Sequence, residues 1–137
     1  MEHIEIVKDD TEILAVIIRR EYTTEGLKFF TPDDFSQQLA YMCHKKGKKI
    51  KPHAHNVLKR EICFTQEVLF LKKGKLKVDI YRNDQSFISS FVLVEGDVIL
   101  LAGGGHGFEA LEDIEMIEVK QGPYSGDLDK THFETDS

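Results

Sequence analysis

Two histidines separated by a single residue, His53 and His55, form the pair whose spacing could do chemistry. They follow Gly47, a lysine-rich stretch and Pro52, which together indicate a turn that leads into an extended segment. In a β-strand, residues i and i+2 project to the same face, so both imidazoles would enter one space. Because imidazole nitrogens are common ligands of transition metals, the pair is a candidate for half of a metal site.

Two further side chains complete the set that suggests a chemical function. Glu67 lies twelve residues after His55, and Gly74 lies seven residues beyond Glu67. A third histidine, His106, follows the three consecutive glycines at 103–105. These glycines either let the backbone bend so that the imidazole reaches an ion, or form a flexible turn.

Composition and charge exclude several classes of protein. With 137 residues, 41% of them hydrophobic, the chain has the size and composition of one globular domain. A net charge of −6 disfavours a general nucleic-acid binder. No apolar run approaches the roughly 18 residues of a membrane span, and the N-terminus does not resemble a signal peptide. We therefore expect a cytoplasmic protein without nucleic-acid or membrane partners, in which Cys43 and Cys63 are reduced core thiols.

Short apolar runs separated by turn residues dominate the sequence. They predict strands at residues 3–7, 13–19, 39–44, 61–71, 76–81, 87–94, 98–101 and 114–119. Gly74 is expected in a hairpin turn, and residues 82–85 in a second turn. Parallel α/β architecture is excluded because no helical segments separate the strands. The pattern predicts an all-β sandwich or barrel.

The order of the candidate residues resembles the first motif of the cupin superfamily. That motif is Gly, five residues, His-x-His, three or four residues, Glu, six residues and Gly. Gly47, His53 and His55 match its first half, and Glu67 with Gly74 matches its second half.

The departure from this motif is the eleven residues between His55 and Glu67. Glu61 lies closer to the usual spacing, but it would place Val68 where the turn glycine belongs. Glu67 is therefore the expected ligand, with the extra residues in a loop or bulge.

The second cupin motif is Gly, five residues, Pro-x-Gly, two residues, His, three residues and Asn. Here Gly96 is followed after five residues by Ala102 in place of proline. Gly103 and His106 follow, one residue short, and Ala110 stands at the asparagine position. The match is partial, but its elements occur in the expected order.

The resemblance implies a fold and a site. The fold is an all-β, cupin-type double-stranded β-helix, or jelly-roll barrel, over residues 1–124, with a polar tail at 125–137. The site is a divalent transition metal (Fe, Mn, Ni, Co, Zn or Cu) with two coordination positions open for water or a substrate oxygen. Its implied ligands are His53, His55, Glu67 and His106.

Three functions are compatible with this resemblance, so whether the protein is an enzyme stays open. The first is a metal-dependent oxygenase, isomerase or epimerase that acts on a small molecule. The second is a module that binds a metal or small ligand without turnover. The third is a metal-free sugar-nucleotide isomerase, in which histidines move protons directly. Metal content and turnover on a panel of small molecules would separate the three.

Arg60 and Glu118 are two further charged candidates for the site. Arg60 either clamps a carboxylate or phosphate of the substrate or forms a surface salt bridge. Glu118 and Lys120 alternate with Ile117 and Val119 in the last strand. The apolar pair is expected to face the core, which would turn Glu118 outward and exclude it as a catalytic acid.

The strand at Ile13–Ile18 is almost continuously apolar, and Phe87 and Phe91 fall outside the alternation that the core needs. A strand buried on one face alternates, so a second covered face is implied. We predict a homodimer that buries the outer face of this strand. The alternative is that residues 1–7 of the same chain cover it.

Overall fold

The structure is a computed structural model that describes residues 1–135. These residues form ten β-strands and one short 3₁₀ helix, so the predicted all-β class is confirmed. The strands are β1 (Ile4–Asp9), β2 (Glu12–Ile18), β3 (Gly26–Phe29), β4 (Ala40–Cys43), β5 (Glu67–Lys73), β6 (Lys75–Tyr81), β7 (Phe87–Val94), β8 (Val98–Leu101), β9 (Gly105–Ala110) and β10 (Glu115–Lys120), and the 3₁₀ helix covers Gly126–Asp129. No helix in the described part of the chain is long and apolar enough to cross a membrane.

The strands are arranged in three antiparallel sheets. The largest has the order β1-β2-β8-β5-β10, the second has the order β7-β6-β9, and β3 pairs with β4. None of these sheets, as formed by residues 1–135, closes on itself. The arrangement is consistent with a β-sandwich, and the cupin-type barrel stays a prediction.

Apolar side chains from the two larger sheets form one core. In the five-stranded sheet, Ile17 lies opposite Ile99, which in turn lies opposite Leu69, so three buried side chains form a row. Burial of such a side chain contributes about 1.5–3 kcal/mol to folding. The three-stranded sheet contributes a second row from β6, which consists of Leu76, Val78 and Ile80.

The turn at Gly74 connects two sheets rather than two paired strands. Because β5 and β6 belong to different sheets, the predicted hairpin is wrong. Gly74 has φ +89, and a Cβ there would lie 2.1 Å from the backbone oxygen of Asp113, so only glycine fits. The turn at residues 82–85 does join paired strands, β6 and β7.

The strand proposed as a dimer surface is buried within the single chain. Leu14 and the following residues to Ile18 are all buried. β1 pairs with β2 along its edge, with Ile4 opposite Ile18, and therefore does not cover a face of it. The expectation that this strand needs a second copy to cover it is wrong, while the homodimer itself stays a prediction. Phe91 packs against the core, and Phe87 is exposed.

The segment between β4 and β5, residues 44–66, belongs to no strand. The strand predicted from residue 61 begins only at Glu67, and residues 44–65 are all exposed. Strand propensity depends on packing against neighbouring strands, which this segment does not have. Cys63 lies in this segment and Cys43 ends β4, and both are exposed, so the prediction of two core thiols is wrong.

The predicted C-terminal tail is described as far as Thr135, and its last two residues lie outside the described part of the chain. Most of the segment is exposed. Phe133 is half-buried, however, and its ring centroid lies 5.1 Å from that of Tyr81 in an edge-on arrangement. The division between domain and tail at residue 124 stays a prediction.

Candidate functional site

The fold brings Glu67 and His106 together from two different sheets. Glu67 is the first residue of β5 and lies opposite the buried Leu101 of β8. His106 is the second residue of β9 and lies opposite the buried Ile80 of β6. Directly opposed residues of an antiparallel pair share a face, so both side chains face the interior. Nε2 of His106 lies 2.9 Å from Oε1 of Glu67.

Gly104 fixes the path of the backbone into β9. It has φ +64, a left-handed backbone conformation that residues with a side chain rarely adopt. A Cβ there would lie 2.2 Å from the backbone oxygen of Tyr81. Any side chain at this position would push β9 away from Tyr81. The glycine run therefore has a steric role, which places His106 at the start of its strand.

The electrostatic centre of the site is the carboxylate of Glu67. Its side chain is only 9% exposed. Hydrogen bonding to His106 lowers the pKa of Glu67 to about 2, although burial acts in the opposite direction. Its second oxygen, Oε2, is buried and has no hydrogen-bond partner among the described residues. The nearest cation, Nζ of Lys120, lies 3.6 Å from that oxygen, too far for a hydrogen bond.

Glu118 and Lys120 also belong to this site, which corrects the predicted orientation of β10. Glu118 lies opposite Leu69, which is 2% exposed, whereas Ile117 points to the other face and is 55% exposed. Nζ of Lys120 lies 3.3 Å from Oε1 of Glu118. The proximity of Glu67 raises the pKa of Glu118, and the ion pair with Glu118 raises the pKa of Lys120.

Sequence reasoning missed Glu118 and Lys120 because it assigned the apolar residues of β10 to the core. β10 is an edge strand of its sheet, however, and all six of its residues are exposed. The register supplies the signal that could have found them. Residues 116, 118 and 120 lie opposite positions 71, 69 and 67 of β5, which all share the face of Glu67.

The other two expected ligands lie elsewhere in the fold. His53 and His55 belong to the segment 44–66, lie in its exposed part, residues 44–65, and have ring centroids 5.3 Å apart. Nδ1 of His53 lies 3.0 Å from the backbone oxygen of Lys51. Residues 1–135 contain no group of three or more His, Cys, Asp or Glu side chains that could hold a metal ion. The structure thus assembles Glu67 with His106 and leaves the two remaining ligands as predictions.

Arg60 and Glu61 lie in the same exposed segment. Glu61 is outside any strand, whereas Glu67 begins β5 and is buried, which places only Glu67 beside His106. The role of Arg60 in binding substrate stays a prediction.

An aromatic side chain extends the site along β9. The ring centroids of His106 and Phe108 are 5.3 Å apart, with their planes 36° from each other. Phe108 lies opposite the buried Val78, so it shares the inward face with His106. The site therefore combines a charged end at Glu67 with an apolar wall beside the imidazole.

An open cleft of about 560 Å³ lies away from this site. It is lined by N-terminal residues and by residues 21–24, together with Lys28. Neither Glu67 nor His106 lines it.

The chain matches no protein-family model, no curated protein and no solved structure. The likeness to cupins therefore depends on the residues and motifs described above.

Proposed function

We propose that this protein is a cupin-type metalloprotein that binds a divalent transition metal at Glu67 and His106 and acts on a small molecule. The observation that supports this most is the buried Oε2 of Glu67, which lacks a hydrogen-bond partner among the described residues. A buried polar atom without a hydrogen bond costs about 1–3 kcal/mol, and Lys120, at 3.6 Å from Oε2, offsets its charge without supplying that bond. A cation held by Glu67 and the adjacent imidazole would remove that cost.

Two of the four expected ligands fit such an ion. Glu67 and His106 face one another across the sandwich and offer an oxygen and a nitrogen donor. His53 and His55 would supply the other two donors, and their imidazoles are already neighbours. The eleven intervening residues can span roughly 35 Å when extended, so the length of chain allows both histidines to reach Glu67.

When bound, such an ion would supply a Lewis acid with positions open for water or a substrate oxygen. The chain itself contributes orientation and charge. In the metal-free protein, Glu67, ionised because its pKa is low, accepts the hydrogen bond of His106 and fixes the direction of the imidazole. Phe108 offers an apolar surface to the body of a small substrate, and Lys120 offsets the charge of the two carboxylates. This combination suits an oxygenase, isomerase or epimerase.

The hydrogen bond between Glu67 and His106 also favours a second candidate, a metal-free isomerase. An imidazole oriented by a carboxylate is an arrangement with which enzymes move protons. In this mechanism, His106 would take a proton from a bound substrate such as a sugar nucleotide and return it to a neighbouring atom. Glu67 would stabilise the imidazolium that forms between the two transfers. A module that binds its ligand without turnover is the remaining alternative.

Metal analysis of the purified protein tests the main proposal. We expect about one divalent transition metal per chain, since the four donors suit one ion. The double substitution of His53→Ala and His55→Ala should remove most of it, while the exposed His44, replaced by alanine, serves as the matched control. Full retention of metal by the double variant would refute the ligand set.

Turnover separates the candidates from one another. A panel of sugars, keto acids and thiols, with and without O₂, would be assayed after metal loading and again after chelation. Activity that survives chelation but is lost in His106→Ala would support the metal-free isomerase. Metal binding without any turnover would support the binding module.

A further inference from the structure

Two clefts lie between the N-terminal residues and β3. The larger, of about 560 Å³, has a mainly polar lining, which includes the charged or ionisable side chains of Glu2, His3 and Glu21. The smaller, of about 390 Å³, has a mainly apolar lining, to which Ile4, Ile6, Phe29 and Phe30 belong. Met1 and Lys28 line both clefts, so the two meet at these residues. Volumes of this size are typical of sites for small molecules.

Aromatic rings fix the wall that carries Lys28. Lys28 lies opposite Tyr41 of β4, and directly opposed residues of an antiparallel pair share a face. The ring of Tyr22 packs edge-on against that of Tyr41 at 5.0 Å and against that of Phe30 at 5.3 Å. The hydroxyl of Tyr41 also donates a hydrogen bond to Thr23. These contacts hold the wall beside Lys28 in place.

The wall formed by the N-terminal residues is attached to the core. The backbone N–H of Arg19 donates a hydrogen bond to the backbone oxygen of His3, at 2.9 Å. The guanidinium of Arg19 in turn donates one to Asp97, which is fully buried. His3 has φ +65, a conformation that residues with a side chain rarely adopt and that persists only where the surrounding structure imposes it. Both walls are therefore fixed, as a binding site requires.

We propose that the two clefts together bind a free α-amino acid with a large apolar side chain. Lys28, where the clefts meet, holds the carboxylate. Glu2 and Glu21 line only the larger cleft and hold the ammonium group. The side chain of the ligand enters the smaller cleft and is removed from water. A zwitterion with an apolar side chain thus matches the opposite charges and the apolar half of the site. Neither Glu67 nor His106 lines these clefts, so the site is independent of the proposed metal.

Three related compounds test which groups of the ligand are recognised. L-Phenylalanine has all three groups, hydrocinnamate lacks the ammonium group and phenethylamine lacks the carboxylate. Their binding to the metal-free protein would be followed through backbone amide shifts in two-dimensional NMR. We expect residues 21–30 to respond to L-phenylalanine, and each of the other compounds to bind about two- to fivefold more weakly, since an exposed ion pair contributes little. Equal affinity for either analogue, or no response of residues 21–30, would overturn the proposal.

Substitutions identify the contacts within the clefts. Lys28→Gln should weaken binding of L-phenylalanine by about two- to fivefold but not that of phenethylamine, which has no carboxylate. Phe29→Ser, at a position 53% exposed, should weaken binding of all three compounds without loss of the fold. Lys8→Gln, at an exposed position of β1 outside both clefts, is the matched control and should have no effect. An unchanged affinity in Lys28→Gln, or an equal loss in Lys8→Gln, would exclude this mode of binding.

Discussion

At the scale of single residues, Glu67 is distinguished from Glu61 by burial and by its contact with His106. Glu67→Gln should weaken binding of Co²⁺ or Zn²⁺ by more than about tenfold, because it removes a charged oxygen donor. Glu61→Gln, which changes an exposed residue of the preceding segment, should leave the affinity nearly unchanged. Isothermal titration calorimetry of both variants checks this. The reverse order of effects would show that the carboxylate ligand had been misassigned.

The low pKa of Glu67 also predicts how stability depends on pH. The folded pKa of about 2 lies below the ordinary value of 4.5, so the ionised form stabilises the fold above pH 4.5. This contribution, on the order of 2 kcal/mol after allowance for solvent screening, is lost as pH falls from 4.5 towards 2. Urea unfolding should therefore show that Glu67→Gln flattens the pH dependence in that window. Glu115→Gln, at an exposed position of β10, is the control, and equal slopes in all three proteins would contradict the assignment.

At the scale of elements, β5 and β10 are oriented by their register. Leu69→Ala should lower the free energy of unfolding by about 2–5 kcal/mol, because its side chain is buried in the core. Ile117→Ala should lower it by less than about 1 kcal/mol, since Ile117 points to the exposed face. Chemical denaturation of the two variants measures both. A larger loss for Ile117→Ala would restore the orientation predicted from the sequence.

Local patterns predicted most of the strands but not their partners. The strand β6 and the turn at residues 82–85 were predictable from the sequence, because both depend on neighbouring residues. The sequence at Gly74 predicts a hairpin because a positive-φ glycine suits both a hairpin and a corner between two sheets, and only the pairing of distant strands distinguishes them. The predicted orientation of β10 is wrong for the same reason. Its edge position, which leaves Ile117 exposed, is a property of the whole sheet and not of the local sequence.

The candidate site was predictable in part for a related reason. Glu67 and His106 were found because residue type and spacing identified them. Lys120 was not, since its place beside Glu67 follows from cross-strand register. The segment that carries His53 has strand-like residues but no neighbouring strand, so no local signal indicated that it stays irregular.

At the scale of the whole molecule, we expect a homodimer to form through a surface other than the 13–18 strand, which is buried within the single chain. Phe70, Ile117 and Val119 are exposed on the outer face of the edge formed by β5 and β10. Exposed apolar edges favour association, and charged residues block it. Light scattering should therefore report twice the chain mass of 15.7 kDa, and Ile117→Lys should reduce it to the mass of one chain. A mass near 15.7 kDa over a wide concentration range would exclude the dimer.

The contact between Thr135 and Tyr81 has a practical consequence for purification. The hydroxyl groups of these residues lie 3.3 Å apart, so Thr135 lies beside β6, whose Tyr81 is opposite Gly105, the residue before His106. A polyhistidine affinity tag fused after Ser137 would begin two residues beyond this contact, and its imidazoles would compete for metal and distort any measured stoichiometry. A cleavable tag before Met1 avoids this, because the N-terminus borders a cleft that neither Glu67 nor His106 lines.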